Sequence, residues 1–192
     1  MYKNFPNTHY QLDGSKYFLD NTKNILESDN VNLRELHYNL EAFYFFIKAV
    51  GSTFHQEVKN IKQKYKAMRN KANKEKLCAL VKEYKEIIDR DKAINLLFQK
   101  RHESKSRRIG PEITFSVVEK IENKTVSYGM SFLISPTTGK VLEMLEVGRI
   151  QNIRFKDWEG NESAIELCTQ VYGRIEINAI NAILDINNMI EG

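Results

Sequence analysis

The sequence predicts a mainly α protein of the α+β type: a helical bundle with a small antiparallel β-sheet inserted before the C-terminal helix. Apolar residues recur at alternating spacings of three and four from Leu33 onward, and again from Ile165 to Ile190, which is the period of a helix. Between these stretches, beyond Pro111, short runs of branched and aromatic residues alternate with turn residues, which is typical of strands. With 192 residues, 42% of them hydrophobic, the chain is predicted to form a single domain over 1–192.

The helical part of the bundle is expected over residues 15–110. A short amphipathic helix is predicted in SKYFLDNTKNILES. A long helix follows, with an apolar stripe that runs from Leu33 to Met68. At about 1.5 Å per residue it would span on the order of 50 Å. The segment from Gln63 to Lys76 is dense in lysine, which is typical of a charged connector and is also compatible with a binding site.

Two further helices are predicted before Pro111. Asp89 or Asp91 can cap the second of them, because a carboxylate there can accept bonds from the first free N–H groups. Pro111 ends the helical region, since its ring fixes φ and biases Gly110 away from helix. The apolar faces of the two helices are Leu77, Leu80, Val81, Tyr84, Ile87 and Ile88 in the first, and Ile94, Leu97 and Phe98 in the second.

The β insertion is expected over residues 111–158 and the C-terminal helix over 161–190. Three or four antiparallel strands are predicted in EITFSVVE, TVSYGMSFLI, VLEMLEV and NIRFKDW. Ser163 and Glu166 have the spacing of a capping box at the start of the last helix.

Composition narrows the class of protein. The 29 basic and 25 acidic side chains leave a formal charge of +4, which permits a nucleic-acid partner and equally suits an ordinary soluble protein rich in lysine and asparagine. Cys78 and Cys168 lie far apart in apolar helical patterns, so buried thiols in a reducing compartment are predicted. The N-terminus lacks the apolar run of a secretory signal, and AFYFFIKAV is too short for a membrane helix. We therefore expect no membrane partner and a cytoplasmic location.

Metal and cofactor sites are not predicted. His9, His37, His55 and His102 have no metal-ligand spacing, and no GxxxxGK, GxGxxG or GxSxG motif occurs. His37 borders the apolar face of the long helix and is expected to be packed or partly exposed. The aromatic run from Phe43 to Phe46 could stack on bases, but packing in the core or against a second subunit is favoured.

The stretch LLFQKRHESKSRRIGPEITF carries the candidate site. A helix here would place Arg101, Lys105 and Arg108 on one face beside His102. An arginine can hold a phosphate while a histidine moves a proton, which is the minimum for metal-independent cleavage of RNA through its 2′-hydroxyl. The alternative is that these cations offset the helix dipole and keep the helix end soluble.

The order of these segments also resembles a known family. An aromatic-rich helix (NLEAFYFFIKAVGSTFHQEV) and a helix with a tyrosine (VKEYKEII) precede DRDKAINLLFQKRHESKSRRIGP. The arrangement resembles bacterial proteins of the HEPN type, named for nucleotide binding in higher eukaryotes and prokaryotes, in particular members with a β insertion before the last helix. The resemblance covers most of the chain from Leu33 and includes FKDWEGNESAIELCTQVY. It implies a helical fold, a homodimer and a basic groove where two copies of Arg101 meet.

HEPN-type ribonucleases carry an arginine, a polar residue after it, and a histidine one to two helical turns further on. Arg101 matches the arginine and His102 the polar residue, but Ser106, Arg107 and Arg108 stand where the second histidine would fall. The resemblance therefore implies a site without its proton-transfer group.

Three functional interpretations follow. The favoured one is a non-catalytic binding or assembly module, forming a homodimer, that contacts RNA through a basic helix end. The second is a metal-independent endoribonuclease of the toxin or defence type, with Arg101 and His102 as catalytic residues. The third is a protein-interaction module acting through the β insertion. The predicted nucleic-acid contacts are Lys100, Arg101, Lys105, Arg107 and Arg108.

Overall fold

The computed structural model describes residues 2–28, 31–66, 70–107, 113–121, 124–132, 149–155 and 158–191. For residues 33–34, 103–107, 113–121, 124–132 and 149–152 it describes the backbone alone. The described ranges contain a short 3₁₀ turn at Tyr2–Asn4 and five α-helices: α1 Pro6–Glu27, α2 Leu33–Lys64, α3 Lys71–Arg90, α4 Lys92–Arg107 and α5 Ala164–Glu191. Three strands lie between α4 and α5, namely β1 Ile113–Ile121, β2 Lys124–Phe132 and β3 Arg149–Phe155.

Helix α1 begins at Pro6, nine residues earlier than the predicted start of the helical part. Its buried face includes small hydroxyl side chains, which do not register as an apolar stripe in the sequence. The hydroxyls of Ser15 and Thr22 each donate to the carbonyl one turn back, at 2.7 Å, so they can be buried without losing a hydrogen bond. The buried residues of α1 are Thr8, Leu12, Ser15, Leu19 and Thr22.

Helices α2 and α5 each supply nine buried apolar side chains to the core, more than any other described element. Helix α2 is the longer of the two. It continues through Gly51 as one helix and ends at Lys64, where the dense lysine segment begins. The predicted stripe is confirmed from Leu36 to Ile61, whereas Met68 lies outside the described residues. The buried stripe consists of Leu36, Leu40, Phe43, Ile47, Val50, Phe54, Val58 and Ile61.

The junction of α3 and α4 depends on Asp91. One carboxylate oxygen of Asp91 accepts from the backbone N–H groups of Ala93 and Ile94, at 2.9 and 3.1 Å, which confirms the predicted cap of α4. The other oxygen accepts from the guanidinium of Arg174 on α5. This carboxylate therefore fixes both the start of α4 and its position against α5.

Helix α5 packs against the other four helices and against β3. The predicted capping box is confirmed, because the N–H of Ser163 donates to Glu166 at 2.7 Å and the N–H of Glu166 donates to the Ser163 hydroxyl at 3.1 Å. Hydrogen bonding to the backbone N–H and the side chain of Ser163 lowers the pKa of the Glu166 carboxyl. The helical bundle predicted from the sequence is confirmed.

The strands attach to the bundle through β3. Backbone pairing places β1 between β2 and β3, with both pairs antiparallel. In β3, Ile153 and Phe155 are buried, and the Phe155 ring lies 6.2 Å from the ring of Tyr44 in α2. The strand predicted in VLEMLEV lies outside the described residues. A functional role for the insertion over 111–158 stays a prediction.

The two cysteines differ in their surroundings. Cys168 is buried, as predicted, and burial raises the pKa of its thiol. The prediction was wrong for Cys78, which is exposed on α3 because its position falls beside the apolar stripe. Both thiols are free. Among the described helices, none is long and apolar enough to span a membrane.

Candidate functional site

The structure corrects the prediction for Lys100. This side chain is 1% exposed, so it does not form part of a solvent-facing phosphate contact. The reason is its helical position: Lys100 follows the buried Leu97 by three residues and lies on the same face of α4. The number of basic residues in the sequence is therefore larger than the number that this helix end exposes to a ligand.

Arg101 and His102, the two predicted catalytic residues, have different surroundings. Arg101 is half-buried, and its guanidinium lies over the ring of Phe45 in α2, 5.3 Å from the ring centroid. His102 is exposed. Lys105 and Arg107 belong to α4 and are described by backbone alone, and Arg108 lies outside the described residues.

Arg101 stands at the end of a row of aromatic rings, which we call the aromatic strip: Tyr10, Tyr17 and Phe18 of α1 with Phe45 and Phe46 of α2. Neighbouring rings are in contact along its length, with centroid separations of 5.2 to 5.9 Å. Tyr10, Tyr17 and Phe45 are 63%, 61% and 52% exposed. Exposed apolar surface that is contiguous marks interaction sites in many proteins, so the strip is a candidate binding surface.

A glycine makes the strip continuous across the two helices. Gly14 lies one helical turn from both Tyr10 and Phe18, and a Cβ at Gly14 would overlap the ring of Phe46. Because Gly14 has no side chain, the ring of Phe46 packs directly on α1 and contacts the rings of Tyr10 and Phe18. The predicted core packing of the aromatic run is confirmed for Phe43 and Tyr44. Phe45 is exposed, so for this residue the other predicted packing, against a second subunit, stays a prediction.

A second candidate surface, missed at the sequence level, lies between α2 and α3. It is a cavity of about 810 Å³, open to solvent, which we call the lysine-rimmed groove. Its apolar wall includes Phe54, Val58, Leu77, Val81, Tyr84, Ile88 and Phe98. Its lysines are Lys48, Lys59 and Lys62 of α2 and Lys82 and Lys85 of α3, and no aspartate or glutamate is among the described lining residues. The available signal was the lysines flanking the apolar stripes of two consecutive helices.

The remaining histidines lie on α1 and α2. His37 is 1% exposed, which confirms the predicted packing, and its Nε2 lies 3.4 Å from Glu41 Oε1. His9 lies 3.3 Å from Asp13 on the surface of α1, and His55 lines the lysine-rimmed groove. Across the side chains that the structure describes, no three histidine, cysteine or acidic groups are arranged to hold a metal ion.

Comparison with models of protein families, with curated proteins and with solved structures finds no match for this chain. The resemblance to HEPN-type proteins stays a prediction based on the order and spacing of the segments.

Proposed function

We propose that this protein is a non-catalytic helical binding module, HEPN-like in its order of helices, that contacts single-stranded RNA through the aromatic strip and Arg101. The observation that carries the proposal is the aromatic strip, whose three exposed rings are joined through the half-buried rings of Phe18 and Phe46 and which ends at Arg101. Every base offers a flat face to an aromatic ring, and each stacked base contributes about 1–3 kcal/mol. The guanidinium supplies a fixed donor pair for a phosphate.

The contact of Arg101 with Phe45 suits this role. The cation–π contact with Phe45 restrains the Arg101 guanidinium, and its N–H groups can donate hydrogen bonds to a phosphate. Lys105, Arg107 and Arg108 follow within two helical turns in the sequence. We propose them as further phosphate contacts, and Lys100 is excluded because it is buried.

Contact without cleavage is favoured by the residues beside Arg101. Acid–base cleavage of RNA needs a proton-transfer group on the same side of the bound phosphate as the arginine. His102 directly follows Arg101, and adjacent helical residues point about 100° apart. The position of a second histidine is occupied by Ser106, Arg107 and Arg108. A metal-independent endoribonuclease using Arg101 and His102 is the alternative that the experiment must exclude.

The test uses fluorescence anisotropy of a labelled single-stranded RNA in EDTA. Phe45→Ala and Arg101→Ala are each expected to weaken binding by about fivefold to a hundredfold, since each removes a stacking or phosphate contact. Arg101→Ala should also lower the salt dependence of binding. The matched control is Ile177→Ala, which removes an exposed apolar side chain from α5.

Equal affinity in all four proteins would refute the RNA contact. Cleavage of the RNA that is abolished by Arg101→Ala or His102→Ala would replace the binding module with the endoribonuclease.

A second copy of the chain is the other occupant to test, because a homodimer is predicted and the same rings could cover each other. Light scattering would then show a dimer for the wild type and a monomer for Phe45→Ala. The third interpretation, a protein-interaction module using residues 111–158, stays a prediction, as does a cytoplasmic location.

A further inference from the structure

The lysine-rimmed groove has the length of a short helix. Its lining extends from Lys48 to Lys62 on α2 and from Leu77 to Ile88 on α3. At about 1.5 Å per residue these two walls are about 16 to 21 Å long, which equals three to four turns of an α-helix. At Gly51, a Cβ would meet Cε1 of Tyr84 at 3.9 Å, so a methyl group would fit there in ordinary contact with α3.

The wall of the groove is aliphatic as well as aromatic. Val58, Leu77 and Val81 line it together with Phe54 and Tyr84, whose ring centroids are 4.8 Å apart. Branched aliphatic side chains accept other aliphatic side chains and do not stack on bases. The chemistry of the wall therefore differs from that of the aromatic strip.

Positive charge lines both long sides of the groove. Lys59 and Lys62 lie on the α2 side and Lys85 on the α3 side, and none of the three is in an ion pair within the described ranges. Lys82 forms one exposed pair with Glu86, at 3.7 Å. A ligand that matches these cations needs negative charges on both of its sides, along its whole length.

We propose that the lysine-rimmed groove binds an amphipathic helix with acidic flanks, supplied by a partner protein. Such a helix inserts residues at positions i, i+3, i+4 and i+7 into an apolar groove and keeps its charged flanks over the rim. A fatty acid carries a single anionic group and would need the cations gathered at one end. The distribution of lysines on both helices distinguishes the two ligands.

The experiment measures binding of a fluorescein-labelled 18-residue peptide with leucine at helical spacing and glutamate at most other positions. We expect saturable binding that weakens as salt rises, because the rim charges contribute. The double substitution Lys59→Glu with Lys85→Glu should weaken it at least tenfold. The matched control is Lys16→Glu with Lys92→Glu, which changes the net charge equally on exposed positions of α1 and α4 and should leave affinity unchanged.

Two further peptides separate shape from charge. A peptide of the same composition with its leucines scattered around the helix, and a peptide with lysine replacing glutamate, should each bind at least tenfold more weakly. Equal binding of either peptide, or equal binding by the Lys59→Glu, Lys85→Glu protein, would overturn the proposal.

A lipid ligand is tested with a dansylated fatty acid. Binding of that probe in the absence of peptide binding would assign the groove to an acyl chain and reject the helix. Oligomer dissociation by the Lys59→Glu, Lys85→Glu pair, seen by light scattering, would instead assign the groove to a second copy. The result does not depend on the RNA contact, since that contact uses Phe45 and Arg101, which do not line the groove.

Discussion

The two sides of helix α2 differ in how closely the neighbouring helix approaches. On the α1 side, Gly14 admits the ring of Phe46, and Glu57 of α2 accepts hydrogen bonds from the first turn of α1. On the α3 side, Gly51 meets only Tyr84 at ordinary contact distance, and the lysine-rimmed groove opens beside it. Helix α2 thus packs closely on its α1 side, through a glycine and a buried carboxylate, while its α3 side remains accessible to a ligand.

The largest loss of stability is expected from a substitution of Glu57, which joins α2 to the first turn of α1. Its carboxylate, 5% exposed, accepts from the N–H of Asn7 at 2.7 Å, the N–H of Thr8 at 3.0 Å and the hydroxyl of Thr8 at 2.6 Å. Phe5, at the N-cap position, provides no side-chain cap of its own. Glu57→Gln should lower the free energy of unfolding by about 3 kcal/mol, because an amide turns a donor toward donors in a buried setting.

Urea denaturation measures this loss. Glu83→Gln, on the exposed surface of α3, is the control and should change stability by less than about 0.5 kcal/mol. If Glu57→Gln is no more destabilising than Glu83→Gln, the α1 side is not held by this carboxylate.

A pair of glycine substitutions compares the two sides directly. Gly14→Ala should destabilise the protein by about 1 kcal/mol, since overpacking against Phe46 exceeds the gain in helix propensity. Gly51→Ala should stabilise it by up to about 1 kcal/mol, because the new methyl meets Tyr84 at 3.9 Å and the helix gains propensity. Thermal and urea unfolding of both variants would give the two signs. If both substitutions change the free energy of unfolding in the same direction, the two neighbouring helices approach α2 equally closely.

The smallest effect concerns two tyrosine hydroxyls. The Tyr84 hydroxyl is buried and forms no hydrogen bond within the described part of the chain, and burial raises its pKa. Tyr84→Phe should therefore leave stability unchanged or raise it by up to about 1 kcal/mol. The Tyr172 hydroxyl donates to Glu176 at 2.7 Å, so Tyr172→Phe should cost about 1 kcal/mol. If urea denaturation shows that Tyr84→Phe lowers the free energy of unfolding more than Tyr172→Phe does, the Tyr84 hydroxyl has a hydrogen-bond partner.

Much of the helical architecture was predictable because it depends on residues close together in the chain. Successive residues of the α2 stripe are three or four positions apart. The Asp91 cap and the Ser163–Glu166 capping box each join residues within one turn. The start of α1 was not predictable, because its buried face uses threonine and serine and its N-terminus is capped from Glu57, about fifty positions away.

The candidate site was predictable only in location. Arg101 and His102 are where the basic run indicated, at the end of α4, but the charge pattern alone did not indicate that Lys100, three residues after the buried Leu97, is itself buried. A charge pattern does not reveal which face of a helix its neighbours cover. The contact of Arg101 with Phe45 joins residues from different helices, and so it becomes visible only when α2 and α4 are packed.

Local sequence pattern was sufficient to predict the order of the helices and the N-terminal caps of α4 and α5, because hydrophobic period and these capping bonds act over a few residues. The burial of particular polar groups, the exposure of particular aromatic rings and the position of the open groove follow only from the packing of the helices. These properties depend on how closely two helices approach, and that distance is set by contacts such as Gly14 with Phe46 and Glu57 with Thr8. Residues far apart in the chain make those contacts, so local pattern carries little information about them.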